Sequence, residues 1–287
     1  MTTDTTAADL ILVFDAGTQS IRGALIDPQG EIVALVKTPI EPYHSPKPGW
    51  AELDPEYYWN QLCATSRKLL GSEGVDAGRI KGVTLTTQRN TVINLDARGK
   101  PLRPAIMWLD QRRATEDVRL PPVLRGALVL ARKAATAEGA MRDCKSNWIR
   151  QHQPDLWRRT ARFLFLSGFL THRLTGNYID STANMVGYVP FDFKRHRWAG
   201  ALDIKWRLFP MEREILPELV VPGETLGTIT ANAAADAGIP AGLPVIAAAT
   251  DKACEVLGAG CRSPETACLS YGTTATLNTA IPRYVEL

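Results

Sequence analysis

The residues with the clearest chemical potential are Asp15-Ala16-Gly17-Thr18-Gln19-Ser20, which follow the apolar run Leu10-Ile11-Leu12-Val13-Phe14. Gly17 permits close backbone approach or a positive φ. Turn amides gathered in a concavity bind anions. Thr18 and Ser20 add hydroxyl donors, Arg22 adds fixed positive charge, and Asp15 suits Mg²⁺, held directly or through water. The same residues also fit an ordinary β-turn with a buried aspartate, and spacing does not separate the two readings. The chain has no GxxxxGK[ST] and no GxGxxG, so this is neither a P-loop nor a Rossmann fingerprint.

Asp251 follows the apolar stretch Val245 to Ala249, just before a helical pattern. Strand ends in open α/β sheets face the ligand crevice, and a carboxylate there can accept a proton from a substrate hydroxyl. A helix N-cap is the competing reading. Gln88-Arg89-Asn90-Thr91 also follows a strand pattern, and its side chains offer directional hydrogen bonds to a polyhydroxylated molecule. In Trp108-Leu109-Asp110-Gln111-Arg112-Arg113, an indole face can pack on sugar C–H groups while Asp110 accepts hydroxyl protons. Arg112 and Arg113 read as a solvated helix start. A second turn, Gly272-Thr273-Thr274, lies between strand patterns and echoes the first, as two lips of one phosphate site would.

These residues need a scaffold. Leu10 to Phe14 reads as a buried strand, Ile21 to Ile26 and Glu31 to Lys37 as a hairpin joined at Asp27-Pro28-Gln29-Gly30. Asp54-Pro55-Glu56 starts a helix with Tyr58, Leu62, Ser66 and Leu69 on one face. Gly82 to Thr86 and Val92 to Leu95 read as strands. Val123 to Thr136, Lys145 to His152 and Asp155 to Leu174 read as helices, the last stopped by Gly176. Asn232 to Ala237 and Lys252 to Gly258 are shorter helices. Thr266 to Ser270 and Ala275 to Thr279 close the chain as a hairpin. Alternating strands and helices argue for an α/β fold.

Composition narrows the class. The chain has 287 residues, 45% hydrophobic and 22% charged, as a globular protein has. A net charge of +3 with scattered Lys and Arg argues against a nucleic-acid partner. No apolar run is long enough to span a membrane. Residues 1–9 lack a signal-peptide pattern and read as a disordered tail on a cytoplasmic protein. The five cysteines have no CxxC spacing and the four histidines no metal-ligand spacing.

Taken in order, these motifs, with Pro48-Gly49-Trp50-Ala51-Glu52-Leu53-Asp54-Pro55 and Arg173-Leu174-Thr175-Gly176, resemble the FGGY carbohydrate kinase family of the actin-like ATPase superfamily. The resemblance implies a ribonuclease H-like, actin-like ATPase domain with a mixed five-stranded sheet flanked by helices. It implies ATP-dependent phosphorylation of a sugar or polyol hydroxyl with Mg²⁺. Asp251 would be the general base and Asp15 would organise the metal. Gly17, Thr18, Gln19, Ser20 and Arg22 would hold the phosphates, with Gly272 and Thr273 opposite. Arg89, Asn90, Trp108, Asp110 and Lys252 would hold the substrate.

Glycerol kinases carry Glu where this chain has Asn90 and Gln where it has Lys252, which points to a sugar, ketose or sugar alcohol rather than glycerol. Lys252 could face the site or solvent. The resemblance also implies a substrate and phosphate domain at residues 10–260 and the opening hairpin of a nucleotide-binding domain at 261–287. Such a hairpin lacks sheet partners, is marginal alone, and would dock abnormally or pair with another chain, a homodimer included. Weak ATP binding and negligible turnover are expected of such a chain. A non-kinase actin-like ATPase and a catalytically silent sugar-binding protein are the alternatives.

Overall fold

Three parallel strands form the middle of the largest sheet. The computed structural model describes residues 9–115, 120–271 and 275–285. The expected turn Gly272-Thr273-Thr274 and nearly all of the expected tail lie outside the described residues.

The chain opens with β1 (Leu10–Ala16), β2 (Ser20–Ile26), β3 (Ile32–Pro39), β4 (Glu52–Leu53), α1 (Pro55–Leu70), β5 (Ile80–Thr87), β6 (Val92–Leu95) and β7 (Ala105–Ile106). It continues through α2 (Pro122–Leu130), α3 (Ala134–Asp143), α4 (Lys145–His152), α5 (Pro154–Arg159), β8 (Arg162–Phe165), α6 (Leu166–Thr175) and β9 (Ile179–Ser181). Then come β10 (Phe191–Asp192), β11 (Arg197–Trp198), α7 (Lys205–Leu208), β12 (Glu218–Val220), β13 (Thr225–Thr228) and α8 (Ala231–Ala237). Last are β14 (Pro244–Ile246), α9 (Asp251–Gly258), β15 (Ala267–Tyr271) and β16 (Ala275–Thr279).

The main sheet has the order β13-β14-β5-β1-β2-β3. β1, β5 and β14 run parallel, while β2, β3 and β13 are antiparallel to their neighbours. β13 carries no strand expectation from the sequence and makes six strands rather than five. Gly227 lets it fit: its φ is +141°, and a Cβ there would meet Asn177 Nδ2 at 2.5 Å.

Inward residues of β1 (Leu10, Leu12, Phe14) and of α1 (Tyr58, Leu62, Leu69) share one buried core with α6 and α8. Each large apolar side chain so buried contributes about 1.5–3 kcal/mol. Asp54 caps α1, its side chain accepting from the Glu56 amide at 3.0 Å, and Pro55 takes the first helical position. A second sheet, ordered β4-β7-β6-β8, sits over a separate aromatic-rich core.

Two expected helices break. Asp155 to Leu174 becomes α5, β8 and α6, because Arg162–Phe165 pairs antiparallel with Val92–Leu95. The apolar run Phe163-Leu164-Phe165-Leu166 serves a strand as well as a helix, and β6 needs a partner. Val123 to Thr136 splits at Arg132, whose φ of +57° ends α2 with the Lys133 amide donating to Leu128 O at 2.8 Å. Gly176 stops α6 as expected, with φ +76°.

Among the described residues, β15 and β16 pair only with each other. Cys268 and Ser270 face inward, whereas Leu269, Tyr271 and Leu277 are exposed, as a hairpin without further sheet partners requires. All five cysteines are free thiols. Among the described residues, no helix is long and apolar enough to cross a membrane.

Candidate active site

The C-terminal ends of β1, β5 and β14 deliver the candidate residues to one edge of the sheet. Asp15 is the penultimate residue of β1, opposite Thr86, and Gln88-Arg89-Asn90 follows β5 directly. β14 is shorter than the sequence suggests, but its chain stays alongside β5: the Thr86 hydroxyl donates to Ala249 O at 2.8 Å. That path brings Asp251 to the first turn of α9 at the same edge. Strand ends of an open sheet form a ligand crevice. Here they border a cavity of about 300 Å³, lined by Thr18, Gln88, Arg89, Asn90, Trp108, Val186, Gly187, Tyr188, Asp251, Lys252 and Thr276.

A hydrogen-bonded chain fixes one wall. The Trp108 indole N–H donates to Thr18 Oγ1 at 2.9 Å. The Thr18 hydroxyl donates to Gln88 Oε1 at 2.8 Å, and Gln88 Nε2 donates to the Tyr58 hydroxyl. Asn90 holds a left-handed backbone with φ +55°. Asn tolerates that region, where most side chains are strained.

Asp251 is the acid in the cavity. Burial pushes its carboxyl above the usual carboxylate range. The Lys252 amide, Arg89 and Lys252 oppose that rise, and the nearby charge of Asp15 reinforces it. Thr250 occupies the N-cap position, and Asp251 Oδ1 accepts from the Lys252 amide at 2.7 Å. Lys252 lines the cavity, yet its ammonium donates to Glu255 Oε2 at 2.7 Å and Ser270 Oγ at 2.5 Å.

The first turn is closed by the Gly17 amide donating to Ser20 O at 3.0 Å, and a Cβ on Gly17 would lie 3.3 Å from that oxygen. Ser20 is buried at the start of β2, and Gln19 is exposed with its carbonyl bound by the Ile40 amide. Arg22 pairs across β1 and β2 with Asp15 at 2.5 Å. Among the described residues, no three His, Cys, Asp or Glu side chains cluster to hold a metal. A magnesium site of this kind needs only one or two carboxylates, completed by water and phosphate oxygens. Asp15, with Asp251 close enough to feel its charge, fits that requirement.

Asp110 does not reach the cavity. Its side chain is fully buried, accepting from the Ala51 amide at 2.6 Å and from Arg112 at 2.7 Å through both oxygens. Arg112 is no solvated helix start: it is buried, bonds Glu52 at 2.8 Å, and stacks on Trp50 with its guanidinium 3.8 Å from the ring centroid. Arg103 joins the same Glu52. Arg113 is exposed and pairs with Asp143. Gly272 and Thr273 lie outside the described residues.

Val186, Gly187, Tyr188 and Thr276 are wall residues not expected from the sequence. Gln88 carried a signal, in the strand-end motif Gln88-Arg89-Asn90-Thr91. Val186 to Tyr188 carried none, since a long-range contact places them: Cys144 Sγ donates to Tyr188 O at 3.4 Å.

This is an actin-like ATPase fold with its candidate site at the sheet edge. Residues 10–258 match the N-terminal domain of the FGGY family of carbohydrate kinases, and the chain belongs to that family. It is 32% identical to the uncharacterized sugar kinase YgcE of Escherichia coli K12, covering 92% of this chain and 46% of that protein. It is 31% identical to the glycerol kinase of Leptothrix cholodnii, covering 92% and 52%. Among solved structures, xylulose kinase from Rhodospirillum rubrum aligns with a TM-score of 0.76 and 26% identity, covering 93% of this chain and 54% of that one. The chain therefore spans about half the length of the relatives it matches.

Proposed function

We propose that this chain supplies the sugar-binding and phosphate-facing part of an ATP-dependent carbohydrate kinase. The observation that carries the reading is the convergence of Asp251, Arg89, Asn90, Thr18 and Trp108 on one cavity at the ends of parallel strands. Trp108 and Asn90 orient a sugar or polyol, and Arg89 adds a directional cation. The Asp251 carboxylate accepts the proton of the attacking hydroxyl, whose oxygen bonds to the γ-phosphorus as the bond to ADP breaks. A carboxylate raised by burial is a stronger base than a free one, which suits it to a hydroxyl proton.

The turn Gly17–Ser20 faces the phosphates. Asp15 would hold Mg²⁺, which supplies charge neutralisation on the phosphates. Residues 10–260 form the substrate domain in this reading, and 261–287 open the nucleotide-binding one. Asn90 favours a ketose or sugar alcohol over glycerol. Lys252 adds little to that preference, because its ammonium is held by Glu255 and Ser270.

A thermal-shift screen tests the proposal: D-xylulose, gluconate, sugar alcohols and glycerol, each with and without Mg-ATP. A ligand that binds only the native state raises apparent stability. Stabilisation by a sugar alone supports the reading. Stabilisation by nucleotide alone favours a non-kinase ATPase, and no stabilisation by any sugar or polyol contradicts the proposal.

A further inference from the structure

The bonds running from the cavity wall into the core have a fixed direction. An indole N–H only donates, so Trp108 makes Thr18 Oγ1 an acceptor at 2.9 Å. Thr18 has one hydroxyl proton, and it goes to Gln88 Oε1 at 2.8 Å. The Gln88 carbonyl oxygen is thereby turned toward Thr18, and its NH₂ group must point the other way. There it meets the hydroxyl of Tyr58, a fully buried residue of α1 that lines no part of the cavity. Without an acceptor at that end, the Gln88 amide could flip, so that its NH₂ donates to Thr18 Oγ1, competes there with the Trp108 indole and leaves the Thr18 proton without its acceptor.

We propose that Tyr58 is a positioning residue, which through Gln88 holds the Thr18 hydroxyl and the Trp108 indole in the orientation the cavity requires. The inference rests on the proposed reading of Trp108 and Thr18 as substrate- and phosphate-facing groups. Tyr58 ties that wall to α1, the helix whose buried face packs on β1 and β2. The orientation of an aromatic platform thus depends on a residue buried behind it.

The test reads the Trp108 indole N–H by ¹⁵N NMR on the full chain without sugar, so its result is separate from any outcome of the ligand screen. The chain has seven tryptophans, and Trp108→Phe identifies the resonance. Tyr58→Phe keeps the ring and removes only the acceptor. The expected result is a displaced Trp108 resonance and about tenfold faster exchange of its proton with solvent, the size of effect that losing one hydrogen bond gives. Tyr57→Phe is the control. That hydroxyl accepts from the Glu41 amide at 2.9 Å and has no link to Trp108.

An unchanged Trp108 resonance in Tyr58→Phe, or an equal shift in Tyr57→Phe, overturns the proposal. Should Tyr58→Phe fail to fold, Gln88 decides it. Gln88→Met must release the indole, whereas Gln88→Glu must hold it near the wild-type position, because a carboxylate accepts from both Thr18 and Tyr58. Equal behaviour of the two Gln88 variants overturns the proposal.

Discussion

Asp251 and Lys252 are adjacent in the chain, yet their side chains serve different parts of the molecule. The Asp251 carboxylate stays at the cavity, accepting the Lys252 amide at 2.7 Å, while the Lys252 ammonium turns to Glu255 and Ser270. Ser270 belongs to β15, so Lys252 joins α9 to the terminal hairpin. One helical turn therefore carries both the candidate base and the tie that holds its neighbouring wall.

Lys252→Met should loosen that hairpin and leave sugar binding nearly unchanged. Both charged partners are partly open to water, so the loss should be about 1 kcal/mol. Hydrogen exchange at the β15 and β16 amides checks this. Protection should fall there and remain in β1 and β5.

Asp251→Asn should stabilise the protein at neutral pH. The Asp251 carboxyl titrates above its ordinary value when folded. Its folded state therefore binds protons more readily than the unfolded chain, and stability falls as pH rises through the folded pKa. Removing the charge should raise Tm by about 1–2 °C near pH 7, a small gain because the group is partly solvated. The difference should vanish below the ordinary carboxylate range. Melting curves from pH 3 to pH 8 for both proteins check the sign.

Asp180 offers the same linkage deep in the core. It is fully buried, accepts from Ser167, Asn184 and the Ser181 amide, and burial pushes its carboxyl up to about 6. Between its unfolded value and about 6 the folded state holds the extra proton, so stability should decline with rising pH across that window. Asp180→Asn should flatten that part of the profile, measured as the difference in Tm between variant and parent.

Arg112→Ala should be severely destabilising, by about 3–5 kcal/mol, because it strands the buried carboxylate of Asp110 and leaves Glu52 with Arg103 alone. Chemical denaturation checks the magnitude. Where a variant of this network remains folded, its sugar affinity should match the parent.

Much of the scaffold was legible because local signals agreed with tertiary demand. The cap Asp54-Pro55, the stop at Gly176 and the apolar run of β1 each state their element in a few residues. The strand-end placement of Asp251 and Arg89 followed from the apolar runs preceding them. What failed depended on distant partners. β8 is a strand because β6 lies beside it, and Asp110 is structural because Arg112 folds back between Trp50 and Trp148. Hydroxyl-accepting and guanidinium-accepting aspartates look alike in a sequence, and only the burial of Arg112 separates them.

In the proposed function a sugar or polyol sits between Trp108 and Asp251. Calorimetric titration of D-xylulose into the parent chain, Trp108→Ala and Asp251→Asn tests it most directly. Saturable one-site binding to the parent is expected, weakened about tenfold or more in each variant, in line with the loss of a stacked face or a charged acceptor. Equal affinity in all three proteins, or saturable binding that survives both substitutions combined, would contradict it.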